Sequence, residues 1–205
     1  LPSIGNDIVD LRLIDADRSK QARFYSKILA PDELKLHEAL GAFLAFEHFV
    51  WLCWTIKEAT YKYSKRLHAQ LLFSPPRTVI LNLSAAQPVG DEHFYKGTCS
   101  NGLSTVYFQS THTKTYIHTI ATAAPDYNQI ITKIFIIDQA EASAQTHAQL
   151  LQQATQLYPG SKRTTILKNA DNVPSLMVGD QTFPISMAHH GQYGSFALAN
   201  NPSVN

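Results

Sequence analysis

The sequence predicts an α+β fold made of two similar halves packed together, and three observations carry that reading. Residues 43–65 form one long helical stretch, followed by strand-like runs up to Thr122. Ala123 to Asn128, AAPDYN, has the polar and proline character of a connection. Beyond it the pattern starts again at Ile130, so that each half offers strands on either side of one long helix. One half is expected over residues 1–125 and the other over 128–205.

In chain order, Ile4 to Leu11 reads as a short strand entered through Gly5. Extended backbone puts Asp7 and Val9 on one face and Asp10 on the other. Ser19 to Leu29 and Pro31 to Leu40 carry helical patterns, the second opening with Pro31, Asp32 and Glu33, residue types that suit a first turn. Gly41 separates them from the long helix, expected over Phe43 to Lys65 and ended by Ser74, Pro75 and Pro76. Strands are expected over Thr78–Leu83, Phe94–Cys99, Ser104–Gln109 and Tyr116–Thr122, with Asn101-Gly102 as a hairpin turn. In the second half a strand from Ile130 precedes a helix over Glu141–Leu157, which Pro159-Gly160 stops. Strands follow at Thr164–Leu167 and Ser175–Val178, and a polar turn at His190-Gly191 joins the two closing runs.

Composition narrows the function. At 44% apolar and 16% charged the chain is globular rather than disordered. A net charge of +1 argues against a broad nucleic-acid-binding face, which needs clustered Lys and Arg. Two cysteines, with Cys53 inside the apolar helix, predict a reducing compartment and no disulfide framework. Asp7, Asp10, Asp15 and Asp17 are foreign to a signal-peptide core, and no apolar run reaches the roughly 18 residues that cross a bilayer. The expectation is a cytoplasmic protein with no membrane partner.

The chemistry concentrates in the long helix, FVWLCWTIKEATYK. Its 3.6-residue repeat makes Glu58 and Lys62 neighbours, and taken alone they read as an i,i+4 ion pair worth about 0.2–0.5 kcal/mol. A second carboxylate, Asp7 in IGNDIVDL, changes that reading. Asp7 and Glu58 suit a hard cation such as Mg²⁺, which takes one or two protein carboxylates and completes its shell with water and phosphate oxygens. Lys57 and Lys62 would offset the remaining charge of a diphosphate. Ser186 and His189 lie in a polar, Gly-containing segment where an imidazole and backbone N–H groups can meet phosphate; the competing reading is a surface histidine in a hairpin. His189 and His190 are adjacent, so in an extended strand only one faces a given ligand. His112, Lys114, Tyr116 and His118 alternate as a solvated strand face rather than a zinc site, and Ser64-Lys65-Arg66 reads as the wet end of a helix. The sequence contains no Gly-rich phosphate loop and no nucleophile elbow.

These residues resemble the 4′-phosphopantetheinyl transferase superfamily, whose members share a G-x-D strand, a W-x-x-K-E-A-x-x-K helix and an S-x-S-H-x-G segment. Here they read Gly5-Asn6-Asp7, Trp54-Thr55-Ile56-Lys57-Glu58-Ala59-Thr60-Tyr61-Lys62, and Ser186-Met187-Ala188-His189-His190-Gly191. Arg23-Phe24, Lys27-Ile28-Leu29 and Glu33 add to the likeness. The resemblance implies transfer of the phosphopantetheine arm of coenzyme A to a serine of an acyl or peptidyl carrier protein, with release of adenosine 3′,5′-bisphosphate. Asp7 and Glu58 would hold Mg²⁺, and Glu58 or a metal-bound water would take the serine proton. Lys62 would stabilise the leaving phosphate, while Ser186 and His189 bind coenzyme A phosphates.

The motif order matches the short, trimeric holo-acyl-carrier-protein synthases, whereas the length matches the pseudo-dimeric surfactin-synthetase-activating type. The two halves are therefore expected to form a 4′-phosphopantetheinyl-transferase-like pseudo-dimer within one monomer, in reversed order. Departures are Val9 where the longer type has a third metal carboxylate, Ala188 in place of a serine, and Asn172-Val173-Pro174 in place of G-K-P. Lys168, or Lys162 and Arg163, would then supply the missing cation. The Gly-rich turn that often follows the K-E-A helix is also absent. The alternatives are a non-catalytic coenzyme A or carrier-protein binding paralogue and an unrelated magnesium-dependent phosphohydrolase.

Overall fold

The computed structural model describes residues 3–41, 44–161 and 163–200. The first half opens with Gly5–Asp10 (β1), continues through the short helices Ala16–Ser19 (α1), Ala22–Tyr25 (α2) and Leu34–Leu40 (α3), and reaches the long helix Phe46–Leu67 (α4). Four strands complete it: Val79–Ala85 (β2), His93–Ser100 (β3), Thr105–His112 (β4) and Tyr116–Thr122 (β5). The second half comprises Ile130–Ile136 (β6), the helix Ala142–Leu157 (α5), Thr164–Lys168 (β7), Pro174–Val178 (β8), Gln181–His190 (β9) and Tyr193–Ala199 (β10). The fold is thus α+β, with two five-stranded sheets in the orders β1-β5-β4-β3-β2 and β6-β10-β9-β8-β7. Every strand pairing in them is antiparallel.

Each sheet buries one face under its own helix. Phe49, Leu52, Cys53 and Ile56 of α4 pack with Tyr95, Val106, Phe108 and Ile117. Leu150 and Ala154 of α5 pack with Leu176, Phe183, Phe196 and Leu198. Burying a large apolar side chain contributes about 1.5–3 kcal/mol, so each half has its own hydrophobic reason to close.

β1 lies where the halves meet. A Cβ at Gly5 would stand 1.9 Å from the Ala59 carbonyl oxygen, so only glycine lets β1 approach α4 this closely. Along the same strand Asn6 N donates to Ser186 Oγ at 2.9 Å and Asp10 N donates to His190 Nδ1 at 3.0 Å. Ile8, between them, packs with Ala188 and Tyr193. Residues 6, 8 and 10 thus meet 186, 188 and 190 in turn, so β1 and β9 run in the same sense, joined through side chains.

Three local expectations are corrected. The helical pattern over Ser19–Leu29 is two single turns, because Ser19 is buried and accepts the Trp51 indole N–H at 3.0 Å, which ties the chain to α4. The long helix begins at Phe46; the expected start, Phe43, lies outside the described residues. His112, Lys114, Tyr116 and His118 do not share a solvated face, because β4 ends at His112, β5 begins at Tyr116, and both histidines are buried.

Candidate functional site

Lys62 brings the two predicted carboxylates together. Its Nζ donates to Asp7 Oδ1 at 2.9 Å and lies 3.5 Å from Glu58 Oε1. The i,i+4 spacing places Glu58 and Lys62 on one stripe of α4, and the Gly5 contact seats β1 against that stripe with Asp7 two residues further on. Asp7 is buried whereas Glu58 and Lys62 keep about a quarter of their side-chain surface, so the site is closed on the β1 side and open on the helix side.

The electrostatics are those of two acids sharing one cation. Burial raises Asp7 to about 7 against the pull of Lys62, with Glu58 adding to the rise. Burial alone would lower Lys62, but Asp7 and Glu58 carry it above its ordinary value. The site is short of positive charge for two ionised carboxylates. That is the donor set and charge deficit a hard divalent cation satisfies, with Asp7 and Glu58 as the residues that would hold it. Among the described residues no three His, Cys, Asp or Glu side chains already form a metal cage.

Beside Lys62 a cavity of about 240 Å³ opens between the halves, lined by Tyr61, Lys62, Lys65 and Arg66 from α4 and by Asn172, Pro174 and Ser186 from the second half. Arg66, read from sequence as a wet helix end, instead ties the halves together. Its guanidinium donates to Ser175 Oγ at 3.0 Å, Pro174 O at 2.6 Å and Ile185 O at 2.9 Å. Ser64, beside it in sequence, is buried. Burial with only neutral partners lowers Arg66 to about 10, and its positive charge is left facing the cavity.

The remaining predicted residues divide. Ser186 lines the cavity, with its hydroxyl held by Asn6 N. His189 is exposed and lines a second recess of about 220 Å³ with Lys168, His147 and Asn172. His190, on the opposite face of β9, faces Asp10; burial lowers its basicity, and Asp10 and Glu58 act against that. Lys57 is not at the site. It is fully buried, and its ammonium donates to Glu33 Oε2 at 2.6 Å, Ile28 O at 2.7 Å and Pro75 O at 3.0 Å. One residue along a helix is a turn of about 100°, which sends Lys57 into the core while Glu58 faces the cleft. Lys162 lies outside the described residues.

Two departures acquire a structural meaning. Asn172, where G-K-P has glycine, takes the left-handed conformation with φ 60°, which asparagine tolerates better than most residues. Val173 is buried, so the position of the absent lysine serves packing here. Ala188 packs on Ile8 and Tyr193, so the missing hydroxyl leaves an apolar contact. Sequence reasoning missed Arg66 and His147; the basic run Lys65-Arg66 was the available signal for the first.

The family model of the 4′-phosphopantetheinyl transferase superfamily (ACPS) matches residues 3–121. The chain belongs to this superfamily. Its β1, α4 and the rest of the first sheet lie within or overlap the matched span, including Asp7, Glu58 and Lys62. Neither a search of curated proteins nor one of solved structures gave a match. Superfamily membership implies phosphopantetheine transfer, with coenzyme A and a carrier protein as its partners. Among the described residues no helix is long and apolar enough to cross a membrane.

Proposed function

We propose that the chain is a magnesium-dependent transferase of the holo-acyl-carrier-protein synthase type, which moves 4′-phosphopantetheine from coenzyme A to a serine of an acyl or peptidyl carrier protein. The observation that carries this reading is the convergence of Asp7, Glu58 and Lys62 at the joint between the halves, beside a cavity with further cationic side chains. Mg²⁺ held by Asp7 and Glu58 would neutralise diphosphate charge and draw it onto the site. Lys62 would stabilise charge on the departing phosphate, and Lys65 and Arg66, which line the cavity, would add positive potential there. The serine oxygen would attack the phosphorus that bears pantetheine, that phosphorus would part from adenosine 3′,5′-bisphosphate, and Glu58 would take the serine proton. No covalent enzyme intermediate is needed; alignment and charge neutralisation supply the rate.

Lys168 and His189 share a recess that has Asn172, Pro174 and Met187 in common with the cavity lining, which supports a role for them with Ser186 in holding coenzyme A phosphates. The two halves, residues 1–125 and 128–205, would then act as a pseudo-dimer in one cytoplasmic monomer, with the site between them. The carrier protein would dock at Arg18, Arg23 and Lys27, which line a groove of about 520 Å³ with Phe24 and suit an acidic helix. The second reading, a non-catalytic binding paralogue, draws on the missing G-K-P lysine. The test is mass gain on apo carrier protein supplied with coenzyme A and Mg²⁺. Asp7→Ala and Glu58→Ala should each abolish it while the fold survives; full rate in both variants refutes the metal assignment. Coenzyme A binding without product across several carriers would favour the paralogue.

A further inference from the structure

Asn6, the middle residue of Gly5-Asn6-Asp7, is fully buried at the joint between the halves. Alternation along β1 sends Asp7 toward Lys62 of α4 and Asn6 toward the second half. There its Nδ2 donates to Ser195 Oγ of β10 at 2.8 Å, and its backbone N donates to Ser186 Oγ of β9 at 2.9 Å. His118 of β5 stands 3.5 Å from the same Nδ2 through its Nε2. All four residues are buried, two from each half. Ser186 and Ser195 lie opposite Ala197 and Ala188 in the β9–β10 ladder, so Asn6 holds both strands at once.

The rest of this seam is apolar: Ile4, Ile120 and Ala197 form one small cluster in it, and Ile8, Ala188 and Tyr193 another. Apolar burial is non-directional and tolerates a slip of one surface over the other. Among the described residues β1 pairs through its backbone with β5 alone, so no ladder of hydrogen bonds fixes its register on β9 and β10. Buried amide and hydroxyl groups do fix it, because each one that loses its partner finds no water in exchange. Asn6 Oδ1 is buried with no partner, a cost that an apolar side chain facing alanine in place of Ser195 would not carry. The seam thus gives up stability for a defined register. What the register sets is the distance between two functional groups: Asp7 follows Asn6 directly, and Ser186 lines the cavity beside Lys62. With its oxygen accepting Asn6 N, the Ser186 O–H is left to turn to a phosphate oxygen.

Resting on the transferase reading, we propose that Asn6 is a positioning residue: through Ser195 and Ser186 it fixes the second half, and the coenzyme A held there, at the distance from Asp7 that aligns the diphosphate with the two acids. The test compares the parent, Asn6→Leu, Ser195→Ala and the double variant by steady-state kinetics on apo carrier protein with Mg²⁺, by coenzyme A calorimetry and by thermal melts. The Asp10–His190 bond at the other end of β1 remains in all of them, so the halves should stay joined. Each single variant should lower kcat/KM for coenzyme A about ten-fold or more, mainly by raising KM, although Ser195 is fully buried on β10 outside the cavity wall. The double variant should be no worse than the poorer single one, because both substitutions remove the same bond. Parent-like kcat/KM and affinity in both single variants, losses that multiply in the double variant, or a lower Tm with unchanged kinetics overturns the proposal. If Asn6→Leu does not fold, Ser195→Ala decides alone. A parent that binds coenzyme A without transferring its arm overturns the transferase reading instead, and the affinities of the same variants then judge Asn6; a parent that binds no coenzyme A overturns both.

Discussion

Lys57→Met separates a structural lysine from a substrate-binding one. The Lys57 ammonium is fully buried, and all three of its N–H groups are used, by Glu33, Ile28 O and Pro75 O. Glu33 is equally enclosed: besides Lys57 it accepts Ala30 N at 2.7 Å and Ile80 N at 2.7 Å. Methionine keeps much of the volume but leaves a buried carboxylate without its counter-charge and two carbonyl oxygens without donors. Breaking such a pair costs about 3–5 kcal/mol, a large fraction of the roughly 5–15 kcal/mol that holds a domain folded. Urea unfolding should therefore show a markedly lower midpoint with an unchanged slope. Coenzyme A KM, measured at a temperature where the variant remains folded, should stay near the parent value. Stability within about 1 kcal/mol of the parent, together with a raised KM, would refute the assignment and return Lys57 to the substrate.

Gly5→Ala should cost at least about 1–3 kcal/mol, because its Cβ meets the Ala59 carbonyl, and activity should fall further than stability as Asp7 is pushed off the α4 stripe; thermal melts and initial rates measure the two. Arg66→Met should lower Tm and raise coenzyme A KM more than it lowers kcat, since it unties α4 from β8 and β9 without touching the acids. In chelator, stability should fall as pH drops from about 6.5 to about 4. His112 and His118 are each held down to about 4, so the unfolded chain takes up those two protons first. Asp7, raised from 3.8 to about 7, opposes them by one proton in this window. Asp7→Asn should therefore steepen the acid loss, by up to about 1.4 kcal/mol per pH unit. Denaturant melts across that range that show no steepening would contradict the burial of Asp7.

Much of this was legible because it depends on short-range patterns. The α4 stripe with Glu58 and Lys62 and the Asn101-Gly102 hairpin are local consequences of helical periodicity and turn chemistry, whereas the prolines expected to end α4 open a 3-10 turn, Pro75–Arg77, after the helix has already stopped at Leu67. The α1–α2 region was misread because an apolar pattern does not reveal that Ser19 will be claimed by Trp51, 32 residues away. Lys57 was misassigned for a related reason. Its motif neighbour Glu58 does face the cleft, but the identity of a lysine does not say whether Glu33 and two carbonyls wait for it in the core.

What the residues alone determined is the inventory: two acids, a lysine at i,i+4, a glycine at the entry of the first strand, and two α+β halves. Only the tertiary structure decided which of them meet. β1 is held between α4 and β9, so Asp7 joins Glu58 and Lys62 on one side while Asn6 and Asp10 bind Ser186 and His190 on the other. The physical reason is that side-chain alternation along a strand is a local rule, whereas which surface lies against each face is settled by the burial of the whole chain.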